Sequence, residues 1–490
     1  MLVAAVPLDQ AAEIAFVKST VARFFTVYDV KVSYESVEVL ISADTATLES
    51  SFEYLRKEMF SKGYIPILEY AKGEYSITVV RKPPAVKRRI WINLIFLFAT
   101  SITTIYAGMI LWASYVGSTD FYTLDNFIWG LISFAFPLML ILGVHELSHF
   151  FMSKKHGLDA SLPYFIPAWP PIGTFGAFIS MREPMPNKKA LIDIGVAGPL
   201  GGLIVSIPIA IIGLLLNQGA TPHPLLPPAG MMGINTPLLF DLFMWIVPIP
   251  ANVALHPTAF AAWVGIFVTA INLLPAGQLD GGHIARGLLG KNAKFLSIAT
   301  VIVLFVLGVF FYTGWLLFAF LIAVLGLSHP APLNDVTKLD IKRISVGVLT
   351  LIILMASFVF VPIYIVPSIA TFDLEVQGSN ETTAVAGGVA FFYLAINNTG
   401  TMNFTVEMDV RDLPAGWGAL IYVAGNSTAE ASDSLSLSLP YDSTASVAIE
   451  VLVPVSELPG DTSLTLNAST QAEDASQTTQ VTEHFIVHVV

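Results

Sequence analysis

Long apolar runs separated by short charged breaks dominate the chain from about residue 90 to residue 368. Stretches of this length and polarity predict membrane-spanning helices. Seven are expected, over about 90–113, 124–152, 190–216, 258–275, 295–312, 315–328 and 344–368. A further apolar piece, 236–250, is short and ends in prolines, so it reads as an interfacial or re-entrant segment. The pattern before this region is different. Residues 1–86 mix helical spacing with period-two alternation and predict a small soluble α+β domain. Asp9 to Val27 has helical spacing, and Val30 to Ile41 alternates as one strand would. Asp44 is placed to cap a helix reaching about Lys62. Strands over Ile65–Tyr70 and Tyr75–Val80 are joined at Lys72-Gly73 as a hairpin.

The pattern changes again after residue 368. Residues 369–490 are rich in Ser, Thr and Val, alternate in runs such as Ser446–Val453, and predict an all-β sandwich. This tail resembles the Ig-like modules that archaeal surface proteins carry. The expected class is therefore a multi-span α-helical membrane protein with three domains. These are a cytoplasmic α+β domain (1–86), a transmembrane domain (87–368) and an extracellular β-sandwich (369–490).

Composition supports the membrane reading. Of 490 residues, 54% are hydrophobic and 12% are charged, about half the usual charged share. The net charge of −12 argues against a nucleic-acid-binding face. Residues 1–20 show no basic start followed by a clean apolar core, so no secretory signal is expected. All 24 Lys and Arg except Arg411 lie in the N-terminal domain or in segments on its side of the membrane. The positive-inside rule then places the N-terminus in the cytoplasm. Seven spans put the C-terminus outside. The five Asn-x-Ser/Thr sequons, at Asn380, Asn397, Asn403, Asn426 and Asn467, all fall in the tail. That agrees with an external tail, although a Ser/Thr/Asn-rich β domain also makes sequons by chance. The expected location is a cell membrane, crossed several times.

Candidate chemistry centres on His145-Glu146-Leu147-Ser148-His149. On a helix, residues four apart share a face, so both imidazoles can reach one metal ion. Glu146 beside them can take a proton from water. The chain has no cysteine, so a metal must be held by His, Asp or Glu. Three ionisable side chains within about one turn of a membrane helix are costly unless functional. Hydrolytic zinc takes three protein ligands and keeps a fourth position open. Asp280, in Asn272-Leu-Leu-Pro275-Ala-Gly-Gln-Leu279-Asp280-Gly281-Gly282-His283, is the candidate third ligand. Asp-Gly-Gly alone would also serve as a turn. Lys154-Lys155 and Arg286 follow the two motifs closely, which places both near the cytoplasmic ends of their spans.

His145–His149 together with Asn272-x-x-Pro275-x-x-x-Leu279-Asp280-Gly281 closely resembles the site-2 protease family of intramembrane metalloproteases, most of all its archaeal members and their plant chloroplast relatives. The likeness covers about residues 90–330. It implies Zn2+ held by His145, His149 and Asp280, with Glu146 as general base. It also implies a core of the second, third and fourth spans. Asn272 would lie near the substrate carbonyl as an oxyanion donor, although an interhelical hydrogen bond would also explain it. Gly173–Ser180 looks like the family's β-hairpin that pairs with an unwound substrate, or else a loop dipping into the bilayer. The implied partners are membrane proteins with a transmembrane helix and the lipid bilayer itself.

Several residues are expected to be structural. His156 reads as part of a basic turn, and His223 and His256 as parts of outer loops. Asp193 suits a helix start, and Ala197–Gly202 close helix packing or a kink. His283 is expected beside Asp280 without binding metal. A metal-ion transporter would explain the ligands but not a Glu adjacent to one of them. A surface scaffold with a membrane anchor would leave the metal motif unexplained.

Overall fold

The computed structural model describes residues 10–33, 36–83, 89–181, 183–218, 229–249, 254–424, 432–472 and 475–490. The chain divides into two compact units. One comprises Met1–Gly219, Thr236–Ile249 and Leu255–Val361, and the other Ala220–Asn235, Pro250–Ala254 and Pro362–Val490.

The first unit begins with α1 (Gln10–Ala22), β1 (Thr26–Val32), β2 (Ser36–Ser42), α2 (Leu48–Ser61), β3 (Tyr64–Ala71) and β4 (Glu74–Arg81). The sheet order is β1-β2-β4-β3, all antiparallel. The β3–β4 turn is where the sequence placed it: Lys72 and Gly73 both take positive φ, 55° and 88°. A two-residue turn of that hand matches the twist of paired strands. Val30–Ile41 is not one strand. It breaks between Val32 and Ser36, where the Ser33 N–H donates to the Ser36 carbonyl, and folds back as a hairpin. Alternation continues across so short a reversal, so the pattern alone did not reveal it. The first helix also ends earlier than predicted, at Ala22, because Thr26 and Val27 enter β1, and Asp9 lies outside the described residues. Asp44 supports a turn by accepting the Ala46 N–H, and Thr47 precedes α2.

Next come α3 (Ile90–Val116), α4 (Leu124–Gly130), a π-helical turn (Leu131–Ala135) and α5 (Phe136–Lys155). The π turn sits just before Pro137, which cannot donate a backbone hydrogen bond. Strands β5 (Tyr164–Pro167) and β6 (Thr174–Phe178) precede α6 (Lys188–Asn217). In the second unit β7 (Met232–Ile234) follows. Back in the first unit are α7 (Leu238–Ile246), α8 (Pro257–Asn272), α9 (Asp280–Leu289), α10 (Ala293–Phe310), α11 (Gly314–Leu325) and α12 (Ile341–Ser357).

Among the described residues, four helices are long and apolar enough to cross a membrane: Ile90–Val116, Leu124–Lys155, Lys188–Asn217 and Asp280–Phe310. They coincide with four of the seven predicted spans. Pro257–Asn272 and Gly314–Leu325 are apolar but shorter. The segment expected at 344–368 is helical only to Ser357, and Ile363–Ile365 forms a strand instead. Pro362 and the β-branched residues after it favour extended backbone over helix.

Glycines allow the helices of the first unit to approach closely, as suits packing where lipid gives little hydrophobic drive between helices. A Cβ on Gly108 would lie 2.3 Å from the Gly130 carbonyl oxygen, and one on Gly213 2.3 Å from the Ala259 nitrogen. α8 is buried on nearly every side, with Phe260, Trp263 and Phe267 stacked along it at 5.6 and 5.4 Å.

The second unit contains β8 (Ile363–Ile365), which pairs with β7, and β9 (Ile369–Ala370). The remaining strands are β10 (Phe372–Val376), β11 (Glu381–Ala384), β12 (Val389–Asn398), β13 (Phe404–Arg411), β14 (Gly418–Val423), β15 (Ser434–Leu439), β16 (Thr444–Leu452), β17 (Gly460–Gln471), β18 (Gln477–Thr478) and β19 (Gln480–Val489). Two sheets, β10-β12-β16-β14 and β11-β19-β17-β13-β15, share one apolar core built from Phe392, Ile421, Ile449, Leu464 and Phe485. Asn398 ties the loops together by donating to the carbonyls of Met402, Leu439 and Pro440 at 2.9–3.1 Å. Four of the sequon asparagines are exposed or half-buried here, and Asn426 lies outside the described residues.

Candidate metal centre

α5 is one unbroken helix from Phe136 to Lys155, so His145 and His149 fall on one face as the spacing requires. Asp280 is the first residue of α9, after the chain has left α8 and turned through 273–279. The structure brings the three together. His149 Nε2 lies 3.1 Å from Asp280 Oδ2, His145 Nε2 lies 3.3 Å from the same oxygen, and the two Nε2 atoms are 3.3 Å apart. Donor atoms on a tetrahedral zinc ion, with bonds near 2.0–2.2 Å, sit roughly 3.3–3.5 Å apart. The three donors are thus already spaced to hold such an ion, and both histidines are buried.

The tautomer of His149 follows from its other nitrogen. Nδ1 lies 2.8 Å from the Ile194 carbonyl oxygen, which can only accept, so the proton belongs on Nδ1. Nε2 is then free to donate its electron pair to a metal. Glu146 Oε1 lies 3.9 Å from His145 Nε2. Asn272, the last residue of α8, places Nδ2 3.3 Å from His145 Nε2. All five residues line one cavity of ≈ 850 Å³, together with Phe178 and Ile179 at the end of β6 and His329 from the α11–α12 connection.

The hairpin itself forms as expected, with Tyr164 opposite Phe178 and Ile166 opposite Gly176. α3 anchors it. Asn93 donates to the Leu162 and Pro163 carbonyls at 2.7 and 3.1 Å, and Thr103 donates to the Gly173 carbonyl at 2.7 Å. Gly173 has φ +80°, and a Cβ there would lie 2.5 Å from the Thr103 carbonyl oxygen. Only glycine suits that turn.

Two structural expectations change. Gly198 does more than let helices pack, because its missing side chain is where the His149 ring sits. A Cβ on Gly198 would fall 2.0 Å from His149 Nε2. Gly202 likewise faces His145, with a Cβ 3.2 Å from Nδ1. Asp193 does not cap a helix start; it lies within α6 and pairs with Arg343 at 2.5 Å and His156 at 3.0 Å. A carboxylate there needs cationic partners more than a helix end. His256 sits, as expected, in the loop before α8 and serves as that helix's N-cap, accepting the Thr258 N–H at 3.2 Å, while His223 lies outside the described residues. His283 is buried next to Asp280, its ring centroid 4.3 Å from that of His329. The Gly198-Pro199-Leu200-Gly201-Gly202 run inside α6 was the one sequence signal for Gly198. Nothing local in the sequence pointed to His329.

Comparison with known proteins places this geometry in context. Residues 133–315 match peptidase family M50, which spans both the paired histidines and Asp280. A probable chloroplastic zinc metalloprotease EGY1 from Oryza sativa subsp. japonica is 34% identical over 36% of this chain and 31% of its own length. The Arabidopsis thaliana EGY1 is 31% identical over 48% of this chain and 44% of its own. The Arabidopsis EGY2 is 29% identical over 43% and 38%. The chain spans less than half the length of these relatives.

Proposed function

We propose that this chain, a member of the site-2 protease family through its peptidase family M50 segment at residues 133–315, is an intramembrane zinc metalloprotease. The observation that carries this reading is the convergence of His145, His149 and Asp280 donors within 3.1–3.3 Å, beside the Glu146 carboxylate. Zinc held there supplies Lewis-acid chemistry for peptide hydrolysis. The relatives' names, which describe probable zinc metalloproteases, support the choice of metal.

The roles of the protein's own groups follow from position. The Ile194 carbonyl fixes the His149 tautomer. Glu146 takes the proton from the attacking water and passes it to the leaving amine. The Asn272 amide is aimed into the same cavity and donates to the substrate carbonyl as negative charge grows on it. A transmembrane helix hides its amides in its own hydrogen bonds. The β5–β6 hairpin offers an edge on which an unwound stretch is held extended. The substrates are membrane proteins with a transmembrane helix, cut within or near that segment in the lipid bilayer.

The lysine and arginine distribution supports a cytoplasmic N-terminus and an external tail. With the shorter helices and α12 counted, seven crossings remain the arrangement we favour. The three-domain division at 86 and 368 and an Ig-like character for the tail belong to the same reading. In the tail, two sheets around one core are the supporting feature.

Glu146→Gln tests the whole. The purified variant should keep about one zinc per chain and lose cleavage of a single-span substrate. Retained cleavage removes Glu146 from its role. A transporter would move metal across vesicles and cut nothing, and a scaffold would purify without zinc.

A further inference from the structure

The chain between α11 and α12 is not a free loop. Its first part, His329-Pro330-Ala331, lines the metal-centre cavity. Its second part is built into the N-terminal sheet domain. Leu333 is only 3% exposed and packs in the core formed by Phe52, Leu55, Leu68 and Ile77. The Leu68 N–H donates to the Leu333 carbonyl at 2.7 Å, along the outer edge of β3. On the other side, the Leu333 and Asn334 N–H groups donate to the Met185 and Pro186 carbonyls at 2.8 and 3.0 Å. Asp335 then pairs with Arg286 of α9 at 2.7 Å and with Lys188 of α6 at 3.6 Å. One strand-like segment thus joins the N-terminal sheet, the exit of the β5–β6 hairpin and the helix that begins with Asp280. Further ties, Lys189 to Glu49 at 2.7 Å and Lys82 to Glu183 at 2.6 Å, hold the same domain to the same place.

We propose that residues 329–331 form a specificity-determining wall of the substrate cleft, and that the N-terminal domain sets its position by holding Leu333. The inference rests on the protease reading above. A polypeptide laid beside Phe178 and Ile179 near Glu146 shares its cavity with His329, Pro330 and Ala331. Pro330 and Pro332 lack N–H groups, so this side cannot add a second run of strand pairing to the substrate. It acts by shape. It restricts the side chains flanking the scissile bond to small residues, and His329 is the polar group it contributes. Segments anchored at both ends by buried contacts keep such a wall in one place, whereas a loop would yield to a larger side chain.

The test uses the full chain, loaded with zinc, digesting a peptide library read by mass spectrometry. Pro330→Gly and His329→Ala alter the wall without entering the N-terminal core, and Leu333→Ala releases its seat. Zinc content should stay near wild type. Preference for small over aromatic residues beside the cut should fall by about tenfold, the scale on which a pocket discriminates by size. Hydrogen exchange of the Leu68 amide should speed up in Leu333→Ala. An unchanged preference in Pro330→Gly and His329→Ala overturns the wall. An unchanged Leu68 amide in Leu333→Ala overturns the role of the N-terminal domain. A wild-type chain that binds no zinc and cuts nothing overturns the protease reading instead, and this inference with it.

Discussion

Gly198 and His149 occupy one space: the position a Cβ would take on Gly198 lies 2.0 Å from His149 Nε2. Gly198→Ala should therefore push the imidazole off its station. The expected result is at least about a tenfold loss of zinc affinity, comparable to loss of a group that orients a metal ligand. Metal analysis after dialysis against a zinc buffer checks it. An Ala variant with full zinc would show that α6 can move away.

A contrasting outcome is expected at Gly173. It holds φ +80° and lies against the Thr103 carbonyl. Gly173→Ala should distort the β5–β6 hairpin and raise KM for a membrane substrate, with zinc content unchanged. Thr103→Val removes the hydroxyl that bonds the Gly173 carbonyl and also reaches the Ala99 and Thr100 carbonyls of its own helix, and should have a smaller effect of about 1 kcal/mol. Paired zinc and KM measurements on both variants separate substrate holding from metal holding.

Much of the centre was legible because helix period is a strong constraint. His145 and His149 had to share a face once the segment was helical, and the need for a third ligand selected Asp280. The β3–β4 hairpin was legible for a similar reason, since Lys72-Gly73 has the chemistry that turn demands. What stayed hidden depends on contacts distant in sequence. Leu333 is buried in a core more than 250 residues earlier in the chain, which no local pattern records. Gly198 reads as a packing glycine until the ring opposite it is known. The missed reversal between Val32 and Ser36 carries neither Gly nor Asn, and its two serines are only a weak turn signal.

Metal removal should be reversible. A chelator should abolish cleavage and lower the unfolding temperature, and added zinc should restore both. At a hundredfold excess of zinc over its Kd, the expected stabilisation is about 2.7 kcal/mol. A thermal-shift series against free zinc measures it, and a flat series would mean that the three donors do not bind metal.

Glu13 and Arg81 give a pH-dependent tie between α1 and β4. Arg81 donates to both Glu13 oxygens, and this pairing holds the Glu13 carboxyl below its usual range. A depressed carboxyl stabilises the fold above the unfolded pKa and loses that effect as pH falls through the folded value. Wild type should thus melt above Glu13→Gln at pH 7, and the gap should narrow as the pH falls below the ordinary Glu value of about 4.3 and close below the depressed folded value. Melting curves at both pH values decide it.

In the tail, Asn398→Ala leaves the carbonyls of Met402, Leu439 and Pro440 without their shared donor. The expected loss is about 1–3 kcal/mol of stability in that unit, read by chemical denaturation. Cleavage of a peptide substrate should be unaffected.

The metal centre also has a timetable. His149 and Asp280 are 131 residues apart. At about 5–20 residues per second, a ribosome needs roughly 7–26 seconds to travel between them. During that interval the histidine pair is already made, but the ligand that completes the trio does not yet exist. A chain of this design is chemically silent while its early helices enter the bilayer, and it arms itself only when α9 arrives. Under the protease reading proposed above, an unfinished copy therefore cannot yet cut whatever else is being inserted nearby.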